Sequence, residues 1–205
     1  MRDAAYDLEA KRLSDRLPPL PRIAVLGSTR FWHSKSPAVC NELGVALASL
    51  GHVLLVTGGL KGAAEAIGRS FDGARGGRGL VVHILPIGHE VPNFGSIHFA
   101  GSSLAHRREL LGRLASVYIV VEGGPGTADE VAIARSEGSC IIPVACLGGV
   151  GATVHAQCAD APRGLAKGDW ALLSADDATP LQLAQAVARM SSSLLVLSSG
   201  TAVGR

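Results

Sequence analysis

Apolar positions along the chain fall into short solid runs, each ended by a glycine or a polar turn. Residues 22–26 (Arg-Ile-Ala-Val-Leu) read as a buried strand stopped by Gly27. Further runs at 52–57, 80–85, 96–101, 117–121 and 140–145 have the same character, the one at 96–101 being short. Between them the period lengthens to that of helices. One helix opens at Ser36-Pro37, read as an N-cap and a first-turn proline, and runs through Leu43, Leu47 and Leu50 to Gly51. Others are expected over 63–71, over 104–114 behind a Ser102-Ser103 cap, after Thr127, and over 180–190. Solid strands alternating with helices predict a doubly wound parallel sheet covered on both faces, an α/β three-layer sandwich in a single domain. Residues 1–21 form a polar, helix-prone lead ending in Pro18-Pro19-Leu20-Pro21, 22–190 the domain, and 191–205 a loose tail or late edge element. Beyond Val150 the pattern weakens, with a helix expected over 153–161 and Trp170 in a loop.

Composition changes this picture little. A 205-residue chain is long enough for one sizeable core, and with 47% hydrophobic but only 4% aromatic residues that core is aliphatic. A net charge of +2 gives no argument for nucleic acid or an acidic membrane surface. No apolar run is long enough to span a bilayer, and Met1-Arg2-Asp3 opens no secretory signal, so a cytoplasmic protein is expected. Cys40, Cys140, Cys146 and Cys158 lack CxxC spacing, and Cys140 and Cys146 read as buried thiols. No His/Asp/Glu cluster suggests a metal, and no cofactor is expected.

The candidate chemistry sits after the run at 117–121, in Glu122-Gly123-Gly124-Pro125-Gly126-Thr127-Ala128-Asp129-Glu130. A strand, a glycine-rich turn and a helix start within a dozen residues make an anion site: unpaired first-turn amides, with the positive helix end behind them, face a phosphate. Thr127 is placed to cap the helix, and Glu130 is one turn inside, within reach of a ribose. Two other strand ends offer similar turns. Gly27, Ser28 and Thr29, with Arg30, follow the first strand, and Gly58, Gly59 and Gly62 follow the second. In an open parallel sheet such ends line one crevice. Phe31-Trp32-His33 could wall a base or sugar pocket or equally form a packed loop, and His89 and Glu90 of the 86–94 loop could enter the same mouth, though nothing in their spacing demands it.

The segment from Gly123 to Glu130 resembles the GGxGTxxE signature of the Lonely Guy family, part of a Rossmann-like superfamily (SLOG) shared with molybdenum-cofactor carrier proteins and long mislabelled lysine decarboxylases. The family motif begins with proline, and Glu122 stands there in this chain. Arg107, in Ala105-His106-Arg107-Arg108-Glu109, lies at the spacing of the family's functional arginine. Neighbours on a helix point about 100° apart, so one of Arg107 and Arg108 is expected to face the ligand. The segment Val56-Thr57-Gly58-Gly59-Leu60-Lys61-Gly62-Ala63 resembles the second glycine loop, in a form nearer the cofactor-carrier branch.

The resemblance implies a phosphoribohydrolase: hydrolysis of the N-glycosidic bond of a nucleoside 5′-monophosphate such as AMP, with Arg107 and Glu130 catalytic. It also implies a homodimer. Glycosidic cleavage passes through an oxocarbenium-like sugar that a carboxylate stabilises, the role assigned to Glu130. The competing expectation is a non-catalytic carrier or sensor of a phosphorylated cofactor or nucleotide, for which the same cradle would serve. An NAD-dependent oxidoreductase is weaker, because no GxGxxG follows the first strand.

Overall fold

Strands that are apolar on both faces need cover on both, and the chain supplies it by winding helices to either side of one sheet. The computed structural model describes residues 4–158, 160–162 and 164–200. The first half runs α1 (Ala4–Asp15), β1 (Arg22–Gly27), α2 (Ser36–Ala48), β2 (Leu54–Thr57), α3 (Ala63–Ala74), β3 (Val81–Leu85) and β4 (Ser96–Phe99). The second runs α4 (Leu104–Leu111), β5 (Val117–Val121), α5 (Pro125–Ser136), β6 (Cys140–Val144), a 3-10 turn at Ala145–Leu147, α6 (Gly149–Ala156), α7 (Lys167–Leu172) and α8 (Pro180–Gly200).

The six strands are all parallel, in the order β4-β3-β2-β1-β5-β6. The chain winds outward from β1 to β4, then returns to the other side of β1 and winds outward again through β5 and β6. The reversal lies between β1 and β5, where Gly27 pairs with Val121 at the carboxyl ends. Alternation along each strand divides the core. Ile23, Val25, Val117 and Ile119 pack with α2, α3 and α8, while Ala24, Leu26, Tyr118 and Val120 pack with α1, α4 and α5. The fold is the doubly wound α/β sandwich that the pattern predicts.

Several elements differ from expectation. The last helix does not stop at Met190 but continues to Gly200, because Ser191 and Leu194 remain buried against the sheet-covering layer. The expected loose tail is therefore helical up to that point, and residues 201–205 lie outside the described residues. Trp170 is in α7 rather than a loop, buried and stacked on His155 with ring centroids 4.8 Å apart. The helix expected over 153–161 begins instead at Gly149, since the amides of Val150 and Gly151 donate to Gly123 and Glu122 at 2.9 and 3.1 Å. α2 begins at Ser36 behind a Lys35 N-cap, so Ser36 is not the cap. Cys140 and Cys146 are partly rather than fully buried, and all four cysteines are free. The lead packs on the domain: Arg113 of the α4–β5 connection meets Asp7 of α1 at 3.1 Å. No helix among the described residues is long and apolar enough to cross a membrane.

The tightest packing in the helical layer is the crossing of α2 on α3, where Gly44 is required. A Cβ there would stand 2.5 Å from the Ile67 carbonyl oxygen and 2.7 Å from the Phe71 nitrogen, both backbone atoms. Gly44→Val is therefore expected to destabilise the fold by about 1–3 kcal/mol, read from urea unfolding. Wild-type stability in that variant would contradict this packing.

Candidate functional site

The site is assembled from the ends of β1, β2 and β5. At the β5 end the backbone turns sharply through Glu122 (φ 57°) and Gly123 (φ 99°) into Gly124, the N-cap of α5, with Pro125 at the start of the helix. A non-glycine residue in the left-handed region costs about 1 kcal/mol and persists only where its surroundings hold it. Here the Glu122 side chain supplies the hold. It is completely buried, and its carboxylate accepts from the amides of Trp32 and His33, both at 2.9 Å, from Ser36 Oγ at 2.5 Å, and from Ser28 Oγ. The acid thus points away from the α5 amides toward the start of α2, where it binds the loop between β1 and α2. Its burial beside Cys40 contributes, after desolvation, to pushing that thiol up to about 12, which makes Cys40 inert at neutral pH.

Thr127 does not cap α5. Its Oγ1 donates to the Gly27 carbonyl at 3.2 Å, fastening the α5 turn to the end of β1. Gly27 itself cannot carry a side chain, because a Cβ would lie 2.6 Å from the Val121 oxygen. Gly62 (φ 113°) packs backbone against backbone on Ser28 and Thr29, and the Ala63 amide donates to the Ser28 carbonyl at 3.0 Å. Gly62 and Gly123, named as ligand-binding candidates, thus shape the loops. Gly27, Ser28, Thr29, Gly124, Gly126 and Thr127 line one cavity of about 420 Å³, together with Arg30, Trp32, Arg107, Arg108 and Glu130.

Arg107 and Glu130 meet at the floor of that cavity, Nη1 to Oε1 at 2.6 Å, exposed by only 4% and 6%. α4, which carries the arginine, is pinned at both ends. Ser103 caps its start by accepting from the His106 amide at 3.1 Å. The buried hydroxyl of Tyr118 closes its end, donating to the Leu111 carbonyl at 2.9 Å and accepting from the amides of Leu114 and Ala115. Burial raises the Glu130 carboxyl above its ordinary value, against the pull of Arg107 and Arg108. Arg107 Nε is buried with no hydrogen-bond partner among the described residues, and its Nη1 lies where a Gly58 Cβ would be 2.6 Å away. Arg108 also reaches the cavity rather than pointing clear of it. Its guanidinium lies over Gly126, where a Cβ would be 2.7 Å from Nη2, and 3.5 Å from Asp129. Both arginines therefore reach α5, Arg107 at Glu130 and Arg108 at Gly126.

A small cavity of about 40 Å³, lined by Gly58, Leu60, Arg107 and Glu130 among others, lies beside this one. Next to it is a second cavity of about 550 Å³ between α3 and the β3–β4 loop, lined by Gly59, His89, Glu90 and Asn93 among others. A buried chain of hydrogen bonds connects its two walls. The Gly59 amide donates to Thr57 Oγ1 at 3.0 Å, Thr57 Oγ1 meets His83 Nδ1 at 2.7 Å, and His83 Nε2 meets the Phe94 carbonyl at 3.1 Å. Burial lowers the His83 pKa to about 4, so the ring is neutral, and donation from Nε2 leaves Nδ1 to accept from Thr57. The sequence reading missed His83, although a lone histidine inside the apolar run Val81–Leu85 was a visible signal. It also passed over Lys61, Arg69 and Asn93, which nothing local distinguishes from surface polar residues. Among the described residues no group of three or more His, Cys, Asp or Glu side chains gathers to hold a metal.

A parallel sheet wound both ways from β1, with glycine turns meeting at the reversal, defines a Rossmann-like α/β protein. Within that class, residues 20–174 match the SLOG cluster4 family, and the chain belongs to it. The superfamily expected from the glycine turn is thus the one found. An uncharacterized protein from Archaeoglobus fulgidus is 36% identical over 120 residues, 58% of this chain and 76% of that protein. Among solved structures, TM1055 is similar with a TM-score of 0.59 and 27% identity, covering 67% of this chain and 81% of that one. The molybdenum cofactor carrier protein of Chlamydomonas reinhardtii gives 0.52 at 27% identity, covering 59% and 74%. The molybdenum cofactor binding protein of Rippkaea orientalis gives 0.53 at 26% identity, covering 61% and 76%.

Two outcomes test this description. Between pH 6.5 and about 4, the unfolded chain binds a proton at His83 that the folded chain refuses, so stability falls as pH is lowered through that window. His83→Gln is expected to remove up to about 3 kcal/mol of that pH dependence, measured as urea midpoints at pH 4.5 and 7. An unchanged slope would show that His83 is not held neutral. Glu122→Gln replaces an acceptor-only group facing four donors by one that also donates, and is expected to cost about 3 kcal/mol. Stability within about 0.5 kcal/mol of wild type would remove Glu122 from its structural role.

Proposed function

We propose that the protein is a nucleoside 5′-monophosphate phosphoribohydrolase, releasing free base and ribose 5-phosphate. The observation that carries this reading is the buried Arg107–Glu130 pair at the floor of a cavity whose rim is a helix N-terminus flanked by Arg30 and Arg108. The phosphate is received by the first-turn amides around Gly124 and Gly126, with the two rim arginines, Arg30 and Arg108, neutralising its charge. The sugar then lies over Glu130 and Arg107. Water adds to the anomeric carbon as the carbon–nitrogen bond breaks, the bonding electrons leave on the base nitrogen, and that nitrogen takes a proton. Glu130 stabilises the positive charge building on the sugar and accepts the proton of the attacking water. Burial raises its pKa, which makes it a better proton acceptor than an ordinary carboxylate. Arg107 holds the carboxylate in place. Membership in the SLOG cluster4 family, with the resemblance to the Lonely Guy enzymes, supports the reaction. That resemblance carries the expectation of a homodimer, and the expectation of a cytoplasmic location rests on the sequence.

A specific observation favours a second reading, that of a carrier for a phosphorylated cofactor. Two similar solved structures are a molybdenum cofactor carrier and a molybdenum cofactor binding protein. A carrier would use the phosphate cradle without the chemistry of Glu130.

The deciding experiment incubates purified protein with a panel of nucleoside monophosphates, AMP and an N6-substituted analogue included, and follows free base by chromatography. Base release is expected, with kcat lowered at least about 100-fold in Glu130→Gln. Absence of release from every monophosphate, with calorimetric binding retained, would leave the carrier.

A further inference from the structure

The two cavities at the carboxyl ends of the strands differ in charge. The one at α5 presents Arg30, Arg107 and Arg108 against the single carboxylate of Glu130. In the one beside α3, two cations meet two carboxylates: Arg69 pairs with Glu65 at 2.5 Å, and Lys61 with Glu90 at 3.1 Å across the mouth. The first concentrates positive charge and suits an anion. The second is balanced, and adds an amide edge at Asn93 to the apolar surfaces of Leu60, Val91 and Pro92. The two share Thr29 and Leu60 as a common wall, and Arg107 and Glu130 line both the α5 cavity and the small cavity beside it.

The second cavity is also prebuilt. Its β2–α3 wall is tied to its β3–β4 wall by the Gly59–Thr57–His83–Phe94 chain. The Arg69 guanidinium lies 4.7 Å from the centre of the Phe94 ring and donates to Asn93 Oδ1 at 3.1 Å. A site held this way loses little side-chain freedom when filled.

We propose that this second cavity seats the heterocycle of the ligand: a neutral, planar, nitrogen-bearing ring with hydrogen-bond donors and acceptors on its edge. The ligand's phosphate lies at the α5 amides and its sugar over Arg107 and Glu130. The ring inserts between Leu60 and the Val91-Pro92 surface and presents its edge to Asn93. This assignment rests on the α5 turn being the phosphate end.

The test compares ribose 5-phosphate with formycin 5′-monophosphate, whose carbon–carbon glycosidic link resists hydrolysis, by titration calorimetry. The nucleotide is expected to bind at least 10-fold more tightly than the sugar phosphate. Val91→Trp, at a half-exposed position, fills the cavity and is expected to abolish that advantage while leaving ribose 5-phosphate affinity unchanged. Asn93→Leu is expected to reduce the advantage in the same selective way, and Arg108→Ala to weaken both ligands together. Equal affinity for the two wild-type ligands overturns the proposal and leaves the phosphate site standing. So does an advantage that survives Val91→Trp but is lost in Trp32→Ala, which would put the ring against Trp32. Failure of both ligands to bind overturns the phosphate site itself, and the ring assignment with it.

Discussion

The contact between the carboxyl ends of β1 and β5 constrains everything built above the sheet. Winding reverses there, so the loops that follow the two strands part and leave a crevice. The strands approach so closely that Gly27 has no space for a Cβ against the Val121 carbonyl. From that junction Glu122 reaches under the β1–α2 loop and gathers its hydroxyl and amide donors, while Thr127 reaches back to Gly27. The two loops that would embrace a phosphate are thus fixed to each other before any ligand arrives. Such preorganisation places the cost of ordering the site in folding rather than in binding.

Charge is distributed within this frame with some economy. Two carboxylates lie close to a region built to attract anions, and each is accounted for differently. Glu122 satisfies its oxygens with neutral donors on the far side of the turn and presents no charge to the cavity. Glu130 remains at the cavity floor and is compensated by Arg107 at hydrogen-bonding distance. An isolated buried carboxylate would simply protonate. Pairing with arginine keeps ionisation within reach while burial keeps the carboxyl basic, which is the balance a proton acceptor needs. The same pair would also serve a carrier, since Arg107 could hold a ligand oxygen without any bond being broken.

Family membership narrows the chemistry without choosing among its forms. The SLOG cluster4 match spans most of the chain, and the similar solved structures include cofactor carriers. Several particular features surround that frame in this chain. Glu122 stands where the Lonely Guy motif has proline, and Trp32 lies exposed over Gly124. A charge-balanced cavity opens on the β2–β3 side.

Much of the fold was legible in the chain because its signals are local. Solid apolar runs ended by glycine mark buried parallel strands, and the β5–α5 turn announces itself through glycines at consecutive tight positions. Glu130 was legible from its place one turn inside the helix and Arg107 only through resemblance, but no local rule brings together residues 23 apart on two different helices. The C-terminal helix was read too short because Ser191 and its neighbours look like tail residues, and only burial against the core makes them helical. Thr127 read as a cap, yet the nearness of the Gly27 carbonyl, a hundred residues away in the chain, gave its hydroxyl a different partner. Glu122 and His83 carry the same lesson. The sequence by itself determined the strands, the turns and the phosphate-type helix start, since backbone propensity and apolar period suffice for those. Tertiary structure alone decided where each buried polar group points, because a hydrogen-bond partner supplied by another strand or helix has no trace in local spacing.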